Sequence, residues 1–401
     1  MSIRLTNIPA RLLLQAAAWT LAGALAACGG GHHDHDHDYP PPKAAGLTYD
    51  VIPLSLGGVG TNGFVGRKRI TANGKVGGTI DAKDGSLHAF LFDGSKMIDL
   101  GTMGGVLSET GGLNQLGQVV GWVRFKDDSS HAFLYDGTMH DLGKLGGADS
   151  FARAINERGQ VTGESTGADG VRRAFLYQDG VMKPLHNPGD RSAGRLINAG
   201  GDVGGLFDDP NSFTRSFFVG ACLCLKDLGT LGGDQSYVFA LNDAGQLAGA
   251  SEDPAHHLHA FLYDDGAMKD LGTLGGDISQ AFSINESGWV TGFALTKAAQ
   301  SHAFVFDGTM MRDVGTLGGS VSEGTAINAY GQVVGFAFTA KGEQHAMTWT
   351  PKDGIVDLNK VLHNPPHGLV LVQGYAISDK GEIVAQANPG LVLLRPHTGA
   401  K

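Results

Sequence analysis

The chain has 401 residues, 42% hydrophobic and 17% charged, enough apolar content for a large core, and its 63 glycines are more than twice what average usage gives. Glycine at that level without a Gly-X-Y period marks many tight turns rather than a collagen-like rod. The net charge of −10, with no Lys/Arg stripe interleaved with aromatics, argues against a nucleic-acid partner.

The N-terminus reads as an export signal. Arg4 and Arg11 form a basic region, residues 12–24 a short apolar stretch, and Leu25-Ala26-Ala27-Cys28 has the form of a bacterial lipobox. Removal of residues 1–27 and lipidation of Cys28 would hold the chain to a membrane without a spanning helix. Gly29 rather than Asp after the cysteine favours the outer membrane, so a bacterial envelope lipoprotein, periplasmic or surface-facing, is expected. The alternative is an ordinary signal peptide with a chance cysteine.

Residues 28–46 read as a flexible tether, because Gly, Pro and alternating His and Asp cannot bury apolar surface. His32, His33, Asp34, His35, Asp36, His37 and Asp38 also form a ligand-rich tract suited to Zn, Ni or Cu. Spacer and metal-binding tract are both open readings, and the rest of the chain calls for no cofactor.

From residue 47 to 397 the chain repeats. A His-Ala-Phe element starts at His88, His131, Arg173, Arg215, His259, His302 and His345, in steps of 43, 42, 42, 44, 43 and 43, with a degraded copy at Gly390. A second landmark, Ile-Asn-x-x-Gly-Gln-Val, counts eight through Thr71, Asn114, Asn156, Asn198, Asn242, Asn285, Asn328 and Ser378. Within one period, SFARAIN, QVTGES, RAFLYQ and VMKPL read as four short strands with turn chemistry between them. Asn at the first turn can bond backbone amides further on, and Asp-Gly serves the other hairpin. Four strands in about 43 residues is one propeller blade. Residues 47–58 resemble only the fourth strand of a repeat and residues 370–396 supply only the first three, so the two ends complete one blade. The expected fold is therefore all-β: a β-propeller of eight four-stranded blades closed by pairing of the N- and C-terminal segments. Seven blades or a β-solenoid are the alternatives.

HAFLYDG, DLGTLGG and AINxxGQVVG, with small variations, resemble the extracellular HAF repeat family of bacterial exported proteins over roughly residues 47–396. The resemblance implies an exported repeat protein with no established enzymatic activity. Many relatives carry a C-terminal sorting and anchoring signal. This chain ends in RPHTGAK and has a lipobox instead.

Few residues ask for a catalytic role. The histidines of the repeat, and the aspartates Asp99, Asp141, Asp227, Asp270, Asp313 and Asp357, recur with the blade, so structural roles are expected: histidine bonding loop backbone, aspartate at a turn or strand end. No nucleophile elbow, HExxH or CxxC framework appears. Two departures stand out. Cys222 and Cys224 lie in an enlarged hairpin, where export would allow a disulfide. LHNP occurs at 185–188 and 362–365 where Leu-Gly-Gly is expected. The loops between second and third strands vary and several are acidic, so a protein or carbohydrate ligand is expected on that face. The leading expectation is a lipid-anchored binding or scaffold module of the cell envelope rather than an enzyme. Metal capture by the tether and a polysaccharide-active propeller enzyme are the alternatives.

Overall fold

The computed structural model describes residues 47–57, 63–66, 69–185, 191–220 and 223–397. Cys28, the 32–38 tract and Cys222 lie outside them. The strands form eight four-stranded antiparallel sheets. Blades 1 to 7 span residues 63–99, 107–141, 146–184, 192–227, 236–270, 275–315 and 318–357, with each blade's first strand innermost, where first strands of neighbouring blades touch. Blade 8 takes its first three strands from Val370–Ile377, Ile383–Asn388 and Leu391–Pro396, and its outermost from Tyr49–Leu54. The register runs from Tyr49 opposite Pro396 to Leu54 opposite Leu391. The expected eight-bladed ring, closed by its two ends, is the fold. An open solenoid would leave edge strands that this pairing removes.

The Ala-Phe pair of each repeat has a packing cause. The third strand turns Phe90, Phe133, Phe175, Phe217, Phe261 and Phe304 into the core, all 0% exposed, with Met347 and Val392 at the corresponding places in blades 7 and 8. Their neighbours on the strand face the other way. Phe175 therefore shares an apolar cluster with Ala132 of the blade before it, as Phe217 does with Ala174 and Phe304 with Ala260. Among the described residues there is one such cluster in each of the eight spaces between blades. A large ring against a methyl group fills each space without a void, and each buried ring contributes about 2 to 3 kcal/mol.

A buried serine fastens blade to blade. Ala132 N–H donates to Ser150 Oγ of the next blade at 2.9 Å, and Ser150 donates in turn to the Gly143 carbonyl at 2.8 Å. Ser108, Ser279 and Ser322 repeat both bonds. These serines are 0% exposed and satisfy a backbone group that the sheet ladder leaves over.

Candidate functional site

In blades 1, 2, 5, 6 and 7 the histidine and the aspartate of the repeat pair with each other. His Nδ1 lies 2.7 Å from Asp in His88–Asp99 and His131–Asp141, and 2.9 Å in His259–Asp270, His302–Asp313 and His345–Asp357. The histidine's partner is thus a carboxylate across the third and fourth strands, not loop backbone. Asp141 also accepts from Gly143 N–H, an Asx turn at the blade's exit that Asp99, Asp227, Asp270 and Asp313 repeat. Arg215 takes the histidine's place on Asp227 at 3.2 Å. In blade 3 Pro184 stands where the aspartate would, and Arg173 bonds Asp169 instead. Blade 8 has Pro53 and Gly390 at the two positions. Each pair contributes one imidazole inside one blade, so the set forms a strand clasp rather than a convergent metal ring.

The acidic loops are similarly accounted for. Asp84, Asp127, Asp169, Asp209 and Asp253 each accept a backbone N–H two residues on, so each carboxylate shapes its own turn. The Ser86 and Ser129 hydroxyls, together with these backbone N–H bonds, hold Asp84 and Asp127 below the usual carboxylate range. Cys224 is exposed beside Leu223, which has φ +54°. Of the two LHNP segments, 362–365 leaves blade 7 and runs against Tyr49, with Tyr49 N–H bonded to Val361 O at 2.9 Å and His363 N–H to Tyr49 O at 2.8 Å. It braces the closing strand.

The first-strand turns ring the axis. Each turn asparagine reaches the next blade: Asn114 to the Asn156 carbonyl, Asn156 to Asn198, Asn198 to Asn242, Asn242 to Asn285, Asn285 to Asn328, and Asn328 to Ser378, at 3.0 to 3.3 Å. One residue further on, side chains cap the neighbour's N–H: Gln115 on Ala72, Glu157 on Gln115, Asp243 on Ala199, Glu286 on Asp243 and Asp379 on Ala329. A pocket here is lined from blades 1, 2, 3, 6, 7 and 8 together, which only the axis allows. This mouth is anionic. Burial, with the Asp243 charge nearby, raises the Glu157 carboxyl.

Deeper along the axis the charge reverses. The inner strands bring Glu109 from blade 2, Arg153 from blade 3 and Arg195 from blade 4, and Arg69 follows the first strand of blade 1. Arg153 donates to Glu164 at 2.6 Å, while Arg195 and Arg172 approach the same carboxylate at 3.6 and 3.9 Å. The Arg153 guanidinium also lies 4.6 Å from the Trp122 ring centre. Arg69 is 2% exposed, and burial together with the Arg153 charge lowers its pKa to about 9. Blades 1 and 3 are not neighbours, so this coupling places both guanidinium groups near the axis. Four guanidinium groups face two carboxylates, and burial pushes Glu109 up. The Nε–H groups of Arg153 and Arg195 are buried without a hydrogen-bond partner. Blades 5 and 6, which follow blade 4 around the ring, continue the lining with Phe239, Phe282 and Phe293, whose rings meet at 5.9 and 5.7 Å. The lining is cationic in blades 1, 3 and 4 and aromatic in blades 5 and 6, and blade 7 brings Glu323 at the inner-strand position that Glu109 holds in blade 2. Arg153 and Arg195, then Phe239 and Phe282, stand three residues before the turn asparagine in four consecutive blades, a repeat position whose residue type varies and which the repeated phrases therefore do not mark.

No family model and no curated protein matches this chain. Solved structures do. A prolyl endopeptidase is 13% identical, covering 84% of this chain and 54% of its own, with a TM-score of 0.53. The propeller domain of the trilobed protease of Pyrococcus furiosus, described as having an open velcro topology, is 10% identical, covering 80% and 100%, with a TM-score of 0.47. TolB of Acinetobacter baumannii is 14% identical, covering 50% and 51%, with a TM-score of 0.38. The chain spans about half the length of the TolB and endopeptidase chains that it matches. At these identities the likeness establishes the β-propeller fold alone.

Proposed function

We propose that the protein is a lipid-anchored binding module of the bacterial cell envelope, of the HAF repeat type, that takes an acidic saccharide into its axial channel. The observation that carries this is the excess of guanidinium groups from blades 1, 3 and 4, with the Arg153 and Arg195 Nε–H groups unused, beside the aromatic rings of blades 5 and 6. Guanidinium recognises carboxylate through paired N–H donors, and sugar rings lie against aromatic faces. The asparagine-turn mouth carries Glu157, Asp243, Glu286 and Asp379 and repels an anion, so entry is from the face of the variable loops. A binding role is favoured over a catalytic one because the recurring histidines and aspartates already serve their own strands and turns. Attachment rests on Arg4, Arg11 and the Leu25-to-Cys28 motif.

Calorimetry with oligogalacturonate, and with a neutral oligosaccharide of equal length, tests the ligand. Binding of the acidic chain alone, weakened at least tenfold by Arg195→Ala, is expected; equal binding of both sugars, or none of either, removes the reading. Palmitate labelling of cells tests the anchor, which Cys28→Ala abolishes. A Cys28→Ala chain that still takes label and stays with membranes excludes it.

A further inference from the structure

Three side chains outside the repeat pattern meet where the ring closes. Asp50 comes from the closing strand, His363 from the connection between blades 7 and 8, and His397 from the residue after the last strand. His363 Nδ1 lies 2.9 Å from Asp50 Oδ1, and His397 Nδ1 lies 3.1 and 3.0 Å from the two Asp50 oxygens. The imidazoles stack, with centroids 3.7 Å apart and an angle of 23°. All three ligand atoms fall within 4.8 Å of one another.

We infer that Asp50, His363 and His397 form a zinc site that clasps the ends of the chain. Two imidazole nitrogens and one carboxylate are a donor set zinc takes, with its fourth position left to water. The spacing suits it: ligands about 2.0 to 2.1 Å from a tetrahedral ion stand about 3.3 Å apart, close to the separations from Asp50 already present. Both histidines aim Nδ1 at one carboxylate, so the ion replaces the two shared protons and a slight opening of the stack admits it. Asn364 Nδ2 lies 3.2 Å from His363 Nε2, and its amide, turned over, would accept from that nitrogen once Nδ1 holds metal. The side chains keep 47%, 39% and 29% of their surface in Asp50, His363 and His397, which leaves an approach for the ion.

The site differs in kind from the strand clasps. Each clasp offers one imidazole, and its aspartate is held by a turn N–H. The other group of potential ligands among the described residues, Asp234, Glu252 and His256, also has one imidazole, and Glu252 already accepts from Asp234 N–H and Gln235. At the closure two imidazoles converge, and the three residues are 313 and 347 positions apart in the chain, so an ion there binds the closed ring and not the open chain. Zinc would then stabilise closure by mass action.

Zinc chloride titrated into the full chain by calorimetry, with melting curves alongside, tests this. The His- and Asp-rich tract at 32–38 offers a competing donor set for zinc, so the decisive chain carries His32→Ala, His33→Ala, His35→Ala and His37→Ala. It is expected to keep one zinc ion per chain and to melt about 3 °C higher at a hundredfold excess of zinc over Kd. Adding His397→Ala or Asp50→Asn should weaken binding at least tenfold and abolish the rise. Should those variants fold poorly, His363→Gln keeps a polar group beside Asp50 without the imidazole, and the zinc-free melt shows whether closure survives. No zinc bound by the tract variant, or unchanged binding after His363→Gln, overturns the proposal.

Discussion

His131 Nδ1 and Asp141 Oδ2 lie 2.7 Å apart, and the other oxygen of Asp141 accepts from Gly143 N–H at 2.8 Å. One carboxylate thus ties the third strand to the fourth and fixes the turn by which the chain leaves the blade. Asp141→Ala is expected to lower unfolding stability by about 1 kcal/mol, and the coupling to His131→Ala in a double-mutant cycle to be about 0.5 kcal/mol, since both groups are partly exposed. Denaturant melts of the four chains measure it. Additive effects would mean that the pair is adjacent but not coupled.

Ring closure carries a larger effect. Removing residues 47–57 takes the partner strand from Leu391–Pro396 and uncovers Leu391 and Leu393, 2% and 0% exposed in the closed ring. A free apolar edge pairs with whatever strand it meets. The truncated chain is expected to melt at lower temperature and to associate, as read by light scattering after size-exclusion chromatography. A monomer with an unchanged melt would show that closure does not hold the ring.

The ring could be read from the sequence because the turn landmarks are local. Asn156 at a turn start and Gly159 at its end, with φ +74°, satisfy backbone needs within four residues, so the pattern survives in every copy. The clasp was also written there, though less openly. Aspartate and histidine are both absent from blades 3 and 8, at Pro184 with Arg173 and at Pro53 with Gly390, and this shared loss marks the two as partners. What stayed hidden is what varies from copy to copy. Arg153 and Arg195 share the position three residues before the turn asparagine, which carries phenylalanine in the next two blades, and their approach to Glu164 depends on how neighbouring blades are phased around the axis. Asp50 and His397 meet only because the ends share a sheet.

Gly163 shows why the glycine after Gln-Val recurs. A Cβ there would stand 1.9 Å from the Phe151 carbonyl oxygen and 2.9 Å from the Phe175 ring, so inner and second strands could not keep their spacing. Gly163→Ala is expected to cost about 2 kcal/mol or more, whereas Gly170→Ala, in an open loop with φ +77°, should cost about 1 kcal/mol from backbone conformation alone. Equal losses in denaturant melts would contradict the close-approach account.

Glu164 should govern part of the acid response. Burial alone would raise its carboxyl, but the charges of Arg153 and Arg195, the Arg153 hydrogen bond and the Arg172 charge outweigh burial and hold it at about 2, against 4.5 for the ordinary group. The folded value lies below the unfolded one, so the ionised carboxylate stabilises the fold fully above about pH 4.5, and that stability is lost as pH falls towards 2. The contribution is on the order of 3 kcal/mol, reduced by whatever the arginines regain by relaxing. Glu164→Gln is expected to be less stable at pH 7, because three guanidinium groups lose their shared counter-ion, and to show a shallower fall in stability between pH 4.5 and 2. Exposed carboxylates such as Asp93, held at about 2 by backbone N–H groups of Ser95 and Lys96 and the Ser95 hydroxyl, tilt both curves alike, so the difference in slope belongs to position 164. Parallel curves for the two chains would show that Glu164 is not ionised against the arginines in the folded ring, and would remove the counter-ion that leaves Arg153 and Arg195 poised for an acidic ligand.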